Sequence, residues 1–493
     1  MKIPGERQVR LALACQNEKF QRKPVQLYFS AGPTSMQRIQ PVKRVIETRP
    51  VRGMRDRFGV DALKYNHVCA IAQSVANLYG FQPVATPILE HASVFERTLG
   101  EDSDIIGKEL YTFKDKSGDQ LTMRPEGTAG AARALLSNNL TNSLPVKWYY
   151  HGPMFRHERP QKGRFRQFEQ IGVEYFGSRN VSSDVETIAM AATFLKKLSL
   201  YDKVELNLNT LGDSESRANY RSVLTEFLTS HKQSLSEDSV RRLSTNPLRV
   251  LDSKHPDDAP IVAQSPRLSE YLSAPSRDRF EQLLENLTSL GIAYTLNSNL
   301  VRGLDYYQDT VFEFIYRGAN NDDTDSLGAQ QGTVLAGGRY DGLVKLMSGG
   351  KTDVPGIGWA AGIDRLTMLL ENKGFEHSQR PVVIITITED DTDFNRRLDQ
   401  RALQLAHKFR TELLIPTVIQ HREEGAQSQR VDKLLTKVLK TLPGARYVVF
   451  LGRQELEDSS DLINYRDLTQ RTQATVPLSS IASSFKSHSQ DSA

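Results

Sequence analysis

The chain has 493 residues, too long for one compact core and expected to carry about three domains. Hydrophobic residues at 39% and charged residues at 25% suit ordinary globular folding, while a net charge of +4, from 63 basic against 59 acidic side chains, means that any nucleic-acid surface must be local. Two cysteines, Cys15 and Cys69, exclude a disulfide framework and fit a reducing compartment; no apolar run approaches the roughly 20 residues needed to cross a bilayer.

Residues 1–50 hold ten Lys or Arg against three Glu, with scattered prolines and no sustained periodicity. A transit peptide and a basic tail outside the fold both fit this composition, as does a start codon placed too early. The expected location is therefore the cytoplasm or the mitochondrial matrix. From about Val51 the chain becomes foldable. Residues 61–79 repeat apolar positions at helical spacing, and Gly80 follows as a stop signal. An extended segment over 81–90 leads to Glu90. Leu110 to Phe113 and Leu121 to Met123 predict a hairpin around Ser117-Gly118-Asp119. A small-residue helix is expected over about 128–138, strands over 146–155 and 166–176, a helix over 184–198 and a strand over Val204 to Leu208. Residues 213–290 read as a polar, mostly helical insertion or peripheral layer. Strands return at 310–316 and 333–336, and an apolar helix runs from about Ile363 to Leu370. After a linker at 371–380, strands at Val382 to Ile387 and 447–451 alternate with helical patterns, which predicts a small α/β unit with a largely parallel sheet. The larger domain, built from successive hairpins, should have an antiparallel sheet.

Chemistry concentrates in five segments. Alternation puts Phe168, Gln170, Gly172 and Glu174 on one strand face and Trp148, Tyr150, Gly152, Met154 and Arg156 on another. Gln, Glu and Arg are ordinary on a solvated sheet face, but central glycines weaken strands without reason there, so the two faces are expected to form a concave site with a gap at each glycine. The loop His157 to Arg166 carries four positive charges in ten residues, which a solvated loop would also explain; with Arg156 it offers fork-shaped donors suited to triphosphate oxygens. Val301-Arg302-Gly303-Leu304-Asp305-Tyr306-Tyr307 enters a strand. Gly337-Gly338-Arg339-Tyr340-Asp341-Gly342-Leu343 reads as a turn that lets backbone approach a ligand. Gly356 to Leu366 is a glycine-rich run feeding a helix with Arg365 in its first turn. Gly350-Lys351-Thr352 is not a P-loop, because Lys345 stands where the earlier glycine belongs, and Gly356, Gly358 and Gly362 miss the dinucleotide spacing. Phosphates would have to be held mainly by arginines.

Arg124-Pro125-Glu126-Gly127-Thr128, Phe155 to Arg164, Leu300 to Tyr307 and Gly337 to Asp341 resemble the signatures of bacterial-type histidyl-tRNA synthetases. The run ending Gly362-Ile363-Asp364-Arg365 is similar to the third motif of class II synthetases, and Pro87 falls at their dimer-forming first motif. The resemblance covers about residues 50–370. It implies a class II antiparallel sheet of six strands flanked by helices (51–370, with the 213–290 insertion), the linker, and an α/β anticodon-binding domain over 381–485 followed by a tail at 486–493. It also implies L-histidine, ATP with Mg²⁺ and tRNA(His) as substrates and cofactors, and a homodimer. On the matching positions Arg156 and Arg302 stabilise the α-phosphate, while Arg164 and Arg365 bind ATP. Glu126, Gly127, Thr128 and Gln170 surround the amino group of histidine; Glu174 and Tyr307 take the imidazole nitrogens, with Tyr306 and Arg302 alongside. Gln161 would meet the tRNA acceptor end. No metal ligand is fixed by side chains.

Two departures stand out. Glu169 occupies a place that is His or Tyr in many relatives, pointing away from Gln170, and residues 416–430 lack the usual Gly-Arg-Ser-Leu-like stretch. The main rival is a histidine-binding regulatory paralogue without aminoacylation activity, from which Arg156, Arg302, Arg365 and the long C-terminal part distinguish this chain. A general nucleic-acid-binding protein is the other.

Overall fold

Helix Gly59–Leu78 stops where the sequence says it should: Gly80 takes φ 74°, and the Phe81 amide closes back on the Ala76 carbonyl at 2.9 Å. The computed structural model describes residues 48–98, 105–253, 255–301, 306–317, 332–372, 374–375, 381–420, 431–442, 444–457 and 461–486. The basic segment 1–47, Arg302 with its neighbours 303–305, most of the linker, 421–430 of the atypical C-terminal stretch, and the tail beyond 486 lie outside the described residues.

The large sheet runs Gln82–Pro83, Val146–Phe155, Gln167–Phe176, Gly356–Gly362, Thr333–Arg339, Gln308–Tyr316, Val204–Thr210 and Thr295–Leu296. Its six inner strands are antiparallel throughout, and each two-residue edge strand pairs parallel. Alternation divides its faces. Ile171, Val173, Phe312, Phe314, Trp359 and Ala361 point to the core under helices Gly59–Leu78 and Val181–Lys197, where Trp359 stacks on Phe194 at 5.8 Å between centroids. The opposite face carries the candidate site. A separate three-stranded sheet joins Leu89–His91, Gln120–Met123 and Tyr111–Lys114, containing the expected hairpin.

Two expectations need correction. Gly337, Gly338 and Arg339 do not form a turn; they continue the strand Thr333–Arg339, and the chain bends only at Tyr340. Fully buried Arg339 explains why: Asp184, Asp341 and the Ser178 carbonyl satisfy its guanidinium at the end of this inner strand. The helices of 213–290 (Ser214–Ser230, Glu237–Thr245, Ala259–Ala263, Ala274–Ser289) are also less peripheral than expected. Tyr220, Leu224 and Leu228 share one apolar cluster with Tyr306, Tyr307 and Tyr340, and Arg217 donates to the Tyr307 carbonyl at 3.1 Å.

The C-terminal sheet orders Thr417–Gln420, Val382–Thr386, Tyr447–Leu451, Leu462–Asp467 and Gln473–Pro477. Its first three strands are parallel, as the apolar runs predict, and the last two add an antiparallel hairpin. Helix Thr392–Thr411, capped by the Asp391 carboxylate, packs Phe394, Leu398 and Phe409 on one face.

Candidate active site

Small residues make the floor. Register aligns Gln170, Gly172 and Glu174 with Gly362, Ala360 and Gly358, and these with Ala336 and Gly338 on the next strand. Of these, Ala336, Ala360 and Gly362 line an open trough beside Gln170, and side chains this short let the surrounding walls stand above it, a cavity of about 310 Å³. One wall is Glu126 and Thr128 at the start of helix Thr128–Ser137; another is Tyr306 and Tyr307; the loop 156–166 and Arg365 close the far end.

The predicted strand faces coincide, with Tyr150 opposite Gly172 and Gly152 opposite Gln170. The gaps above the glycines are not for a ligand, however. The Tyr150 phenol fills the space over Gly172 and beside Gly127, where a Cβ would overlap it, and the Arg124 guanidinium lies over Gly152. Arg124 is itself fixed by the Pro153 carbonyl at 3.0 Å and the Thr86 carbonyl at 2.8 Å.

At one end of the trough, Glu126 accepts the amides of Thr128 at 2.5 Å and Ala129 at 2.8 Å, capping the helix; burial pushes its pKa up against those hydrogen bonds. Gln170 beside it has a buried Oε1 with no hydrogen-bond partner. An orphan acceptor of this kind calls for a donor from outside the fold. Tyr306 and Tyr307 lie 4.7 Å apart and meet Tyr340 edge-on.

Glu174 is 1% exposed and sits beneath the wall, not on the cavity surface. Its Oε1 accepts the hydroxyls of Thr128 at 2.8 Å and Tyr150 at 3.0 Å, and its Oε2 accepts Tyr340. Burial raises its pKa to about 8, opposed by those hydroxyls and reinforced by the nearby charge of Glu126. Three of the roughly four hydrogen-bonding positions of the carboxyl are filled, so one remains on the Oε2 side, a donor while the group carries its proton and an acceptor once it is ionised.

The other end is cationic. Arg156 donates Nε to the Pro125 carbonyl at 3.0 Å and stacks over Phe168 at 5.2 Å. Arg164 pairs with Glu158 at 3.1 Å. Arg365 is anchored through Nη1 to the Thr333 carbonyl at 2.6 Å and through Nε to the Gly163 carbonyl at 3.3 Å. Burial lowers the Arg365 pKa, and the charges of Arg164 and Arg156 lower it further. Guanidiniums crowded together under partial burial are an arrangement that an anion relieves. Gln161 is exposed in the turn it forms with Arg164. Glu169 lies on the opposite face, as alternation predicts, with its amide on Asp364 at 2.8 Å. Among the described residues no group of three or more His, Cys, Asp or Glu could hold a metal ion.

Sequence reasoning gave no role to Tyr150, Glu158, Glu313, Tyr340 or Asp364. Glu313 had a signal: a lone acid alternating within the apolar run Val311 to Ile315. Tyr150 and Tyr340 had none, because the residues they serve, Gly172 and Glu174, lie on a different strand.

A family profile described as histidyl-tRNA synthetase matches residues 53–366. The chain belongs to that family. A histidine–tRNA ligase of Rhodospirillum rubrum is 44% identical over 430 residues, 87% of this chain and 96% of the relative, and one from Gluconacetobacter diazotrophicus is 50% identical over 341 residues, 69% of this chain and 79% of the relative. The apo histidyl-tRNA synthetase of S. aureus superposes with a TM-score of 0.69 at 30% identity, covering 89% of this chain and 99% of that one. A chain described as an ATP phosphoribosyltransferase regulatory subunit/histidyl-tRNA synthetase from Bacillus halodurans C shares the fold, at 22% identity and a TM-score of 0.57. Family membership makes the large domain a class II synthetase fold, and its six inner antiparallel strands are that fold's sheet.

Proposed function

We propose that the Gln170–Tyr307 end of the trough binds histidine and that the Arg156–Arg365 end binds the phosphates of ATP. The activity is the family's: ATP-dependent ligation of histidine to tRNA for translation. An oxygen of the histidine carboxylate attacks the α-phosphorus, the bond from that phosphorus to the bridging oxygen breaks, and pyrophosphate leaves. A terminal ribose hydroxyl of tRNA(His) then attacks the acyl carbon and displaces AMP. Both steps gather negative charge, so fixed guanidiniums do most of what this chain contributes.

One observation carries the reading. The orphan Oε1 of Gln170 and the crowded arginines face each other across a single cavity, one end short of a donor and the other short of an anion. The α-amino group meets the first need, with Glu126 and Thr128 beside it. Tyr307, which lines the cavity, takes one imidazole nitrogen, and Glu174, buried just behind the wall, takes the other through its remaining hydrogen-bonding position, so an isostere lacking either would leave a buried polar group unpaired. Arg156, and Arg302 from the segment entering Tyr306, serve the α-phosphate; Arg164 and Arg365 serve the outer phosphates. Magnesium bound with the nucleotide would neutralise phosphate charge, and the cleft carboxylates Glu158 and Glu313 fit a cation that keeps most of its ligands from phosphate and water. Gln161, exposed at the loop tip, meets the tRNA acceptor end in this reading, and the C-terminal unit reads the anticodon.

Histidine-dependent ATP–pyrophosphate exchange is the test. Arg156→Ala is expected to lower kcat on the order of 100-fold, and Arg365→Ala to raise the KM for ATP, both with histidine binding retained. Equal loss of histidine and ATP binding in either variant would make these arginines structural.

A further inference from the structure

We infer that residues 51–58 form a strap that positions the ATP-handling arginines, with Arg55 and Arg57 acting through Asp364. The inference rests on the proposed role of Arg365.

Asp364 precedes Arg365 in helix Ile363–Leu369, and its side chain is 4% exposed. Arg55 Nη2 and Arg57 Nη2 both reach its Oδ1 at 2.8 Å, while its Oδ2 accepts the Glu169 amide at 2.8 Å. One carboxylate thus ties the strap, the Gln167–Phe176 strand and the helix bearing Arg365. The helix is held at its other end as well, where buried Lys64 donates to the Thr367 and Leu370 carbonyls. Seven residues are too few to fix a helix by their own backbone bonds, so its placement depends on these attachments.

The strap also grips the loop that carries Arg164. The Gly53 carbonyl accepts the Arg166 amide at 2.7 Å, and Arg55 stacks over Phe165 at 4.5 Å, a ring that lines the trough. Gly53 has φ 85°, and a Cβ there would come within 2.8 Å of the Arg166 side chain and 3.0 Å of Pro160. The residue is glycine because the strap lies directly on the loop. Arg57 is steadied in turn by stacking over Tyr65 at 4.4 Å. Neither Arg55 nor Arg57 lines the cavity, so both are positioning residues. A displacement of about 1 Å in the groups they hold would cost on the order of 100-fold in rate.

The test is pyrophosphate exchange with Arg55→Gln, Arg57→Gln and Asp364→Asn, with KM for ATP and histidine measured separately and folding followed by circular dichroism. The expected result is a rise of about tenfold or more in the ATP KM, histidine KM within about twofold, and little further loss when Arg57→Gln is added to Asp364→Asn. Asp364→Glu, which keeps the charge, should recover part of the loss. If ATP and histidine parameters fall together, or only the melting temperature falls, the strap is merely structural and the inference is overturned. Should Asp364→Asn fail to fold, Arg55→Gln, whose side chain is 30% exposed, decides the matter alone. Arg365→Ala run alongside separates the two readings. If it leaves the ATP KM unchanged, the phosphate role of Arg365 falls and this inference with it. If it raises the ATP KM while the strap variants behave as wild type, only the strap falls.

Discussion

Glu174 joins the stability of the fold to the histidine pocket proposed above. Its carboxyl is proton-poor in the unfolded chain above about pH 4.5 but holds its proton to about 8 when folded. Between those values the unfolded state binds fewer protons than the native state, so stability falls as pH rises. The contribution is fully present below the unfolded pKa and is lost as pH climbs through the folded one. Glu174→Gln removes this titration. The variant is expected to gain stability relative to wild type progressively from about pH 4.5 to 8, measured as urea midpoints across that range, while binding histidine more weakly. A constant offset between the two proteins would show that Glu174 does not titrate in that window. The hydroxyls of Thr128, Tyr150 and Tyr340 that surround it also fix which way its last hydrogen-bonding position faces, which is what the proposed pocket for a two-nitrogen ring requires.

At the scale of elements, Arg339 locks the strand Thr333–Arg339 to helix Val181–Lys197. Both Arg339 and Asp184 are fully buried, and Asp184 also accepts Arg279 at 2.6 Å and Thr310 at 3.1 Å. Arg339→Met removes the fully buried cation that Asp184 and Asp341 share, leaving Arg279 on the first and Arg179 on the second, and is expected to cost about 3 kcal/mol in urea unfolding. Histidine binding should weaken too, because the next residue is Tyr340; a loss under about 1 kcal/mol would mean the network relaxes around the missing charge. This element also shows what the sequence conceals. Strand faces, the hairpin at 110–124 and the ends of helix Gly59–Leu78 were legible because alternation, turn residues and a stop glycine are local signals. The purpose of Gly172 was not, since the side chain that needs the space, Tyr150, comes from the neighbouring strand. Nor was the link between Arg57 and Asp364, which stand 307 residues apart and look like ordinary charges. The arginine cluster at the trough could be read because short motifs carry it, while the cage around Glu174 assembles only in three dimensions.

For the whole molecule, the small sheet Leu89–His91, Gln120–Met123 and Tyr111–Lys114 leaves Ile88, Leu89 and Phe113 exposed, next to Pro87. The strap has a consequence at this scale too. Whatever trimming the front of the chain undergoes, by a maturation protease in the cell or by a cloning decision at the bench, has a fixed frontier. A cut before Val51 spares Gly53, Arg55 and Arg57. One made a few residues later would leave the folded domain its sheets and helices yet strip the anchor from Asp364, giving a catalyst that looks whole and handles its nucleotide poorly.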